Sequence, residues 1–166
     1  MLYKTYIRPH LEYSVQAWCP YLKKDIIMME KVQRRATKLI PSIRHLSYPK
    51  RLQEMKLYSL EQRRLRGDLI ETFKVMKGLE GITSTKLFTL NTQRHRGRGH
   101  NYKLYKSALK KGLNCRKNFF SIRAISEWNN LPETVVEAKT TNQFKTQLDK
   151  FWCKSVNGYG VKKADA

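Results

Sequence analysis

The residues with the clearest chemical potential are the lysines and arginines of residues 81–126, a window that contains no acidic residue. Arginine offers a planar fork that matches two phosphate oxygens, and lysine offers a compact positive charge. Alternating Arg and Gly at residues 96–99 leave the guanidinium groups little hindered by neighbouring side chains. The candidates for phosphate contact in this window are Arg94, Arg96, Arg98, Lys103, Lys106, Lys110, Lys111, Arg116 and Lys117.

Two tyrosines interleave with the lysines of this window. Tyr102 and Tyr105 alternate with Lys103 and Lys106. Exposed aromatic rings beside basic groups could stack on unpaired bases. The alternative is that both tyrosines pack in a core or a hairpin, and the sequence leaves this open.

A second basic set lies at helical spacing earlier in the chain. Its four members are Lys31, Arg34, Arg35 and Lys38. A third set is Arg63, Arg64 and Arg66, which Glu61 and Asp68 partly balance. Each set either binds phosphates or forms an ordinary solvated helix face. The large excess of positive charge raises the weight of phosphate binding, but the sequence leaves both interpretations open for both sets.

Catalytic chemistry has little support. Polymerisation needs paired carboxylates that hold two Mg²⁺ ions. The aspartates are Asp25, Asp68, Asp149 and Asp165, no two of them adjacent. We expect them to be surface partners of lysine and arginine, and we expect no catalysis by this chain alone.

A zinc site also lacks the usual spacing. His95 and His100 flank the Arg-Gly run and Cys115 follows, but no Cys-x-x-Cys pair exists. We expect ordinary polar loop histidines, a small buried cysteine, and neither metal nor cofactor in this chain.

The net charge limits the partners. There are 34 Lys and Arg against 13 Asp and Glu in 166 residues, which gives +21. Such a field attracts polyanions, so nucleic acid is the expected partner, with an anionic membrane surface as the alternative. No apolar run is long enough to span a bilayer, and no secretory signal opens the chain. Three widely separated cysteines indicate a reducing intracellular compartment, nucleus or cytoplasm.

Hydrophobic periodicity predicts a mainly α fold, a multi-helix array with a basic loop or short β-hairpin around residues 91–115. The expected regions are a helical part at 1–80, a basic arm at 81–117, a second helical part at 118–154 and a flexible tail at 155–166. The predicted helices cover residues 2–18 with a break near Arg8 and Pro9, 22–40, 48–56, 59–77, 118–130, and a last one capped by Thr140 or Thr141. The chain begins without a capping residue, so we expect that it starts inside an element.

The same periodicity predicts which residues face the core. In the helix at 22–40 the predicted inward residues are Leu22, Ile26, Met29, Val32, Ala36 and Leu39. In the helices that follow they are Leu65, Leu69, Phe73, Met76, Phe119, Phe120, Ile122, Ala124, Trp128, Phe144, Leu148 and Phe151. We also expect Trp18 and Trp152 to be core residues.

Several segments, in order along the chain, resemble one family. They are residues 2–4, 8–13 (Arg-Pro-His-Leu-Glu-Tyr), 15–18, 30–38, 57–65, 67–74, 116–120, 128–132 (Trp-Asn-Asn-Leu-Pro) and 144–145. Together they resemble the carboxy-terminal part of a LINE-type, non-LTR retrotransposon reverse transcriptase of the jockey and chicken-repeat group. The resemblance covers nearly the whole chain.

The resemblance implies the thumb and the segment after it, which grip the template–primer duplex of an RNA-directed DNA polymerase. The family's active-site Tyr-x-Asp-Asp motif, which would hold Mg²⁺ in the parent enzyme, does not occur in this sequence. The expected function is therefore non-catalytic binding of template RNA, RNA–DNA hybrid or target DNA, beside the rest of the polymerase where that is present. Two alternatives remain at this point: a stand-alone basic nucleic-acid-binding module, and a decayed transposon remnant without function.

Overall fold

The computed structural model describes residues 2–91, 99–106 and 114–155. These residues are mainly helical and contain no β-strand, so the predicted mainly α fold is confirmed. They divide into two compact units. The first contains the described residues up to Arg66 and those from Trp152 onward, and the second is Gly67–Phe151. The region boundaries predicted from composition at residues 80, 117 and 154 stay predictions.

The helices follow the predicted order with shorter bounds. They are α1 Arg8–Leu11, α2 Lys23–Lys38, α3 Tyr48–Glu54, α4 Leu60–Met76, α5 Asn114–Lys117, α6 Phe120–Asn129, α7 Glu133–Val136 and α8 Thr141–Ser155. A π-helical turn, Tyr3–Ile7, leads directly into α1, and a 3₁₀ turn covers Ser84–Lys86.

The break predicted near Pro9 is a widened turn rather than a kink between two α-helices. The Arg8 amide donates to the Tyr3 carbonyl, five residues back. Pro9 then falls in the first turn of α1, where a residue without an amide N–H is tolerated. The π turn thus places the proline where its missing donor is not needed.

Helix α4 begins and ends as its sequence predicts. The Ser59 hydroxyl accepts from the Gln62 amide at 3.2 Å, and the Gln62 side chain lies 3.4 Å from the Ser59 amide, which completes the capping box. After Met76 the chain turns at Gly78 with φ +69°, a conformation that suits glycine.

The underside of α2 is polar, which corrects the predicted face. Glu30, Gln33 and Thr37 are its buried residues. Leu22, Val32 and Leu39 are exposed, Leu39 by 78%, and Ile26, Met29 and Ala36 are half-buried. The apolar pattern was misleading because hydrogen-bond partners elsewhere in the first unit satisfy the buried polar groups.

The second unit has an aromatic core. Phe73 and Phe144 stack at 4.4 Å between ring centroids, and Trp128 stacks on Phe144 at 6.1 Å. Leu69 and Leu148 are also fully buried. The inward positions predicted for α4, α6 and α8 are confirmed for these five residues, whereas Leu65, Met76, Ile122 and Phe151 are half-buried.

Two aromatic residues lie on the surface instead of in the core. Trp18 is 57% exposed and Phe119 is 59% exposed. Phe119 immediately precedes α6 in an extended conformation, so the helical periodicity does not govern its direction. Trp152 is half-buried and meets Tyr58 edge-on at 5.9 Å.

The predicted short strand or hairpin near residue 104 is a single antiparallel bridge between Leu90 and Leu104. The Asn91 amide donates to the Lys103 carbonyl, and the Tyr105 amide donates to the Thr89 carbonyl. This bridge fixes residues 103–105 in extended conformation within the second unit.

Candidate nucleic-acid interface

A row of basic side chains runs along the outer face of α2. Lys31, Arg34, Arg35 and Lys38 are all exposed, at the i, i+3, i+4 and i+7 positions that share one helix face. None of the four forms an ion pair with any residue that the structure describes. We call these four residues the α2 stripe.

Polar contacts on the opposite face of the helix hold the stripe in position. The side-chain Nε2 of Gln33 donates to the Tyr48 hydroxyl and to the Tyr58 carbonyl, both at 3.0 Å. The side-chain Oε1 of Gln33 accepts from the Tyr3 hydroxyl at 2.7 Å. Three segments therefore attach to one side chain. Because hydrogen bonds are directional, these contacts fix the rotation of α2 and keep its basic face outward.

Glu30 adds a second anchor to the same underside. Its carboxylate accepts from the Tyr48 hydroxyl, and its second oxygen accepts from the Leu60 amide at 3.0 Å. Burial, and then the contact with Glu30, raise the pKa of Tyr48 well above its usual range. Tyr48 therefore remains a neutral hydrogen-bond donor.

Arg34 is the most fixed member of the α2 stripe. Its guanidinium lies 4.7 Å from the centroid of the Tyr48 ring. A cation over an aromatic face is stabilised by the ring quadrupole. The remaining N–H groups of Arg34 are thereby presented at a defined position on the surface.

The third basic set, which consists of Arg63, Arg64 and Arg66, mostly performs structural roles. Arg63 forms a two-pronged ion pair with Glu12, with N–O distances of 2.8 and 2.7 Å. Arg64 is only 3% exposed and donates to the Leu11 carbonyl and the Met29 sulfur, so its prediction as a phosphate ligand is wrong. Arg66 is half-buried.

The acid-free window is only partly described. Arg94, Arg96, Arg98, Lys110 and Lys111 lie outside the described residues. Their assignment as phosphate ligands stays a prediction.

Within the described part of the window the cations differ in their surroundings. Arg116 and Lys117 are exposed on α5. Lys106 is exposed and donates to the Ser126 hydroxyl at 2.8 Å, and Lys103 is half-buried. Arg123, which is not among the predicted phosphate ligands, is bound to Asp68 through two hydrogen bonds of 2.8 Å.

The two tyrosines of the window have different environments. Tyr102 is half-buried, and the Lys77 ammonium lies 4.7 Å from its ring centroid. Tyr105 is 52% exposed. Packing therefore explains Tyr102, whereas Tyr105 keeps an accessible ring.

Asp68 has a different environment from the predicted one. Asp68 is buried against Arg123, so it is an internal ion-pair partner and not a surface one as predicted. Desolvation raises the pKa of Asp68, and Arg123 opposes that shift. Among the described residues, no group of three His, Cys, Asp or Glu side chains could hold a metal ion.

His100 is a core residue, which corrects its prediction as a polar loop residue. It is buried, its Nε2 lies 3.1 Å from the Trp128 carbonyl, and its ring meets the Trp128 ring edge-on. Its Nδ1 has no hydrogen-bond partner among the described residues. Burial lowers the pKa of His100 below its ordinary value of 6.5.

This burial predicts loss of stability in mild acid. Because the pKa of His100 is lower in the folded state than in the unfolded state, the unfolded state binds more protons below pH 6.5. The free energy of unfolding should be level above about pH 7.5 and fall below pH 6.5, by at most about 1.4 kcal/mol per pH unit. Urea denaturation at several pH values measures it. His100→Leu should flatten this dependence, whereas the exposed His45→Gln should preserve it; the opposite pattern would exclude His100 as the cause.

Comparison of the chain with models of protein families, with curated proteins and with solved structures finds no match. Within the described residues, no helix has the length and apolar character needed to cross a membrane.

Proposed function

We propose that this chain binds nucleic acid through its phosphate backbone and performs no catalysis on its own. The α2 stripe is the observation that carries the proposal, because it presents four exposed basic side chains on one rigid helix face. Of the two acidic residues of α2, Asp25 lies in the first turn, and Glu30 is buried away from the stripe and does not neutralise it.

The net charge of +21 and the acid-free window add long-range attraction to the same partner. The sequence resemblance supports a more specific proposal: a thumb and post-thumb fragment of a LINE-type reverse transcriptase, whose ligand is template RNA, RNA–DNA hybrid or target DNA. The contacts proposed here are to phosphates, which carry no base identity, so binding should depend little on sequence.

The salt dependence of binding tests the α2 stripe. Each neutralised phosphate contributes about 0.9 to the slope of log affinity against log salt on duplex DNA. The triple variant Lys31→Gln, Arg35→Gln, Lys38→Gln should therefore reduce the slope by about 2 to 3. Arg34 is left in place because it also packs on Tyr48. Fluorescence anisotropy with a labelled duplex at four or five salt concentrations gives the slope.

A control triple removes the same charge from another part of the chain. Lys139→Gln, Lys145→Gln, Lys150→Gln alters residues on or next to α8 and should change the slope by less than about 1. Equal reductions by the two triples would show that only net charge matters, and no reduction by the α2 triple would place the phosphate contacts elsewhere. A strong preference between two duplex sequences would contradict backbone recognition.

A further inference from the structure

The second unit exposes two aromatic rings, Tyr105 and Phe119, and basic side chains next to each of them in the sequence. Residues 104–106 run along α6. The Leu104 amide donates to the Asn129 side chain, which donates back to the Leu104 carbonyl, both at 2.8 Å. Lys106 reaches Ser126, one helical turn earlier. The extended segment therefore passes along α6 toward its N-terminal end.

Tyr105 points away from the core because of this attachment. Leu104 is buried at the bridge with Leu90, and successive side chains of an extended segment face opposite sides. The Tyr105 amide is bonded to the Thr89 carbonyl at 2.7 Å, so the backbone under the exposed ring is fixed.

Phe119 lies directly before the first residue of α6, at the N-terminal end of the helix. Within α6, Ile122, Ser126 and Asn129 share one side of the helix, which leads from this end to the contact with Leu104. The backbone at Phe119 is fixed: its carbonyl accepts from the Ile122 and Arg123 amides at 2.9 Å. Its neighbour Phe120 packs edge-on against Phe88 at 5.5 Å, which leaves Phe119 as the outward ring.

The charges and the spacing of these side chains match a strand of nucleic acid. Lys106 directly follows Tyr105, and Arg116 and Lys117 precede Phe119 by three and two residues; all three cations are exposed. Glu127 is the only acidic residue in the sequence of α6. The seven residue steps from Phe119 to Ser126 correspond to about 10 Å along the helix axis, comparable to three nucleotide steps of about 3.4 Å. Exposed aromatic rings flanked by cations are the pattern of proteins that bind unpaired bases.

We infer that Tyr105 and Phe119 form a stacking surface for single-stranded nucleic acid, with Lys106, Arg116 and Lys117 contacting its phosphates. This inference rests on the proposed function. It adds a preference for single-stranded nucleic acid, which phosphate contacts by the α2 stripe do not provide. Paired bases hide their faces inside the duplex, so this surface distinguishes single strands from duplexes.

The test compares ring-deleting and ring-retaining variants on matched ligands. Tyr105→Leu with Phe119→Leu removes both rings, and Tyr105→Phe with Phe119→Tyr keeps them. Anisotropy is measured with a twelve-nucleotide single strand, as RNA and as DNA, with the same strand carrying abasic sites, and with the duplex. Circular dichroism checks that each variant is folded.

The ring-deleting variant should bind the single strand at least about tenfold more weakly, and its duplex affinity should change less than about twofold. The ring-retaining variant and the exposed-tyrosine control Tyr13→Leu should bind like the unmodified protein. The unmodified protein should lose a similar factor on the abasic strand, which settles the question even if the leucine variant does not fold. A loss confined to RNA or to DNA still supports stacking and identifies the strand.

Unchanged single-strand affinity, equal losses on single strand and duplex, or an equal loss in the ring-retaining variant would each overturn the stacking surface. Failure of the proposed function is distinguishable from these outcomes. In that case the unmodified protein would bind neither duplex nor single strand, whereas a failed stacking surface leaves duplex binding and its dependence on the α2 stripe intact.

Discussion

Trp128→Ala is expected to lower the free energy of unfolding by about 3–5 kcal/mol. The Trp128 side chain is 1% exposed, stacks on Phe144 and meets His100 edge-on. Its indole Nε1 also donates to the Tyr102 carbonyl at 2.8 Å. The substitution removes apolar burial, leaves a cavity and deprives that carbonyl of its donor. Urea denaturation followed by circular dichroism measures the loss.

Trp18 supplies the matched control for this substitution. It has the same ring but is 57% exposed, so Trp18→Ala should cost less than about 1 kcal/mol. A loss below about 1 kcal/mol for Trp128→Ala, or similar losses for both variants, would show that Trp128 is not central to the core.

Asp68→Ala is expected to cost about 3–5 kcal/mol, because it leaves the Arg123 guanidinium partly buried without its carboxylate. Asp68 accepts both short bonds from Arg123, and it is buried whereas Arg123 is half-buried. The double variant Asp68→Ala, Arg123→Met should recover a substantial part of the loss, since no unpaired charge remains. Chemical denaturation of the two single variants and the double variant gives the coupling energy.

The Asp68 experiment also separates structure from binding. Arg123→Met should leave the salt dependence of nucleic-acid binding unchanged, because Asp68 already neutralises Arg123. Purely additive stability losses, or a reduced salt slope in Arg123→Met, would contradict the assignment of this pair to the internal structure.

Local signals predicted the helices well where the signal and its structural partner are close in sequence. The Ser59–Gln62 capping box and Gly78 set the ends of α4, and Thr140 caps the Gln143 amide before α8 at 3.2 Å. Leu69, Phe73, Phe144 and Leu148 are buried as their periodicity predicted. All of these features depend on residues within one or two helical turns.

The errors arise where the deciding partner is distant in sequence. Gln33 is buried because Tyr3, Tyr48 and the Tyr58 carbonyl surround it, from 15 to 30 residues away. Periodicity alone ranks Val32 and Leu39 as better core residues, but they are exposed. A single sequence gives no means of finding such partners.

In the candidate interface, too, the predictions succeed where the deciding residues are close in sequence and fail where they are distant. The α2 stripe was found from spacing alone, although the predicted inward face of its helix was wrong. Arg64 and Arg123 could not be separated from surface cations, because Leu11, Met29 and Asp68 lie 35 to 55 residues away along the chain. Phe119 was assigned to the core because its position just before α6 is not visible in a helical repeat.

The Glu30 carboxylate links the formation of two helices. It accepts from the Leu60 amide, the first residue of α4, and from the Tyr48 hydroxyl at the start of α3. A negative charge at the N-terminus of a helix stabilises its first turn, but here that charge arrives from α2, 30 residues earlier. The first turn of α4 therefore gains this stabilisation only when α2 is docked, so the Glu30 carboxylate couples the stability of helices that are distant in sequence.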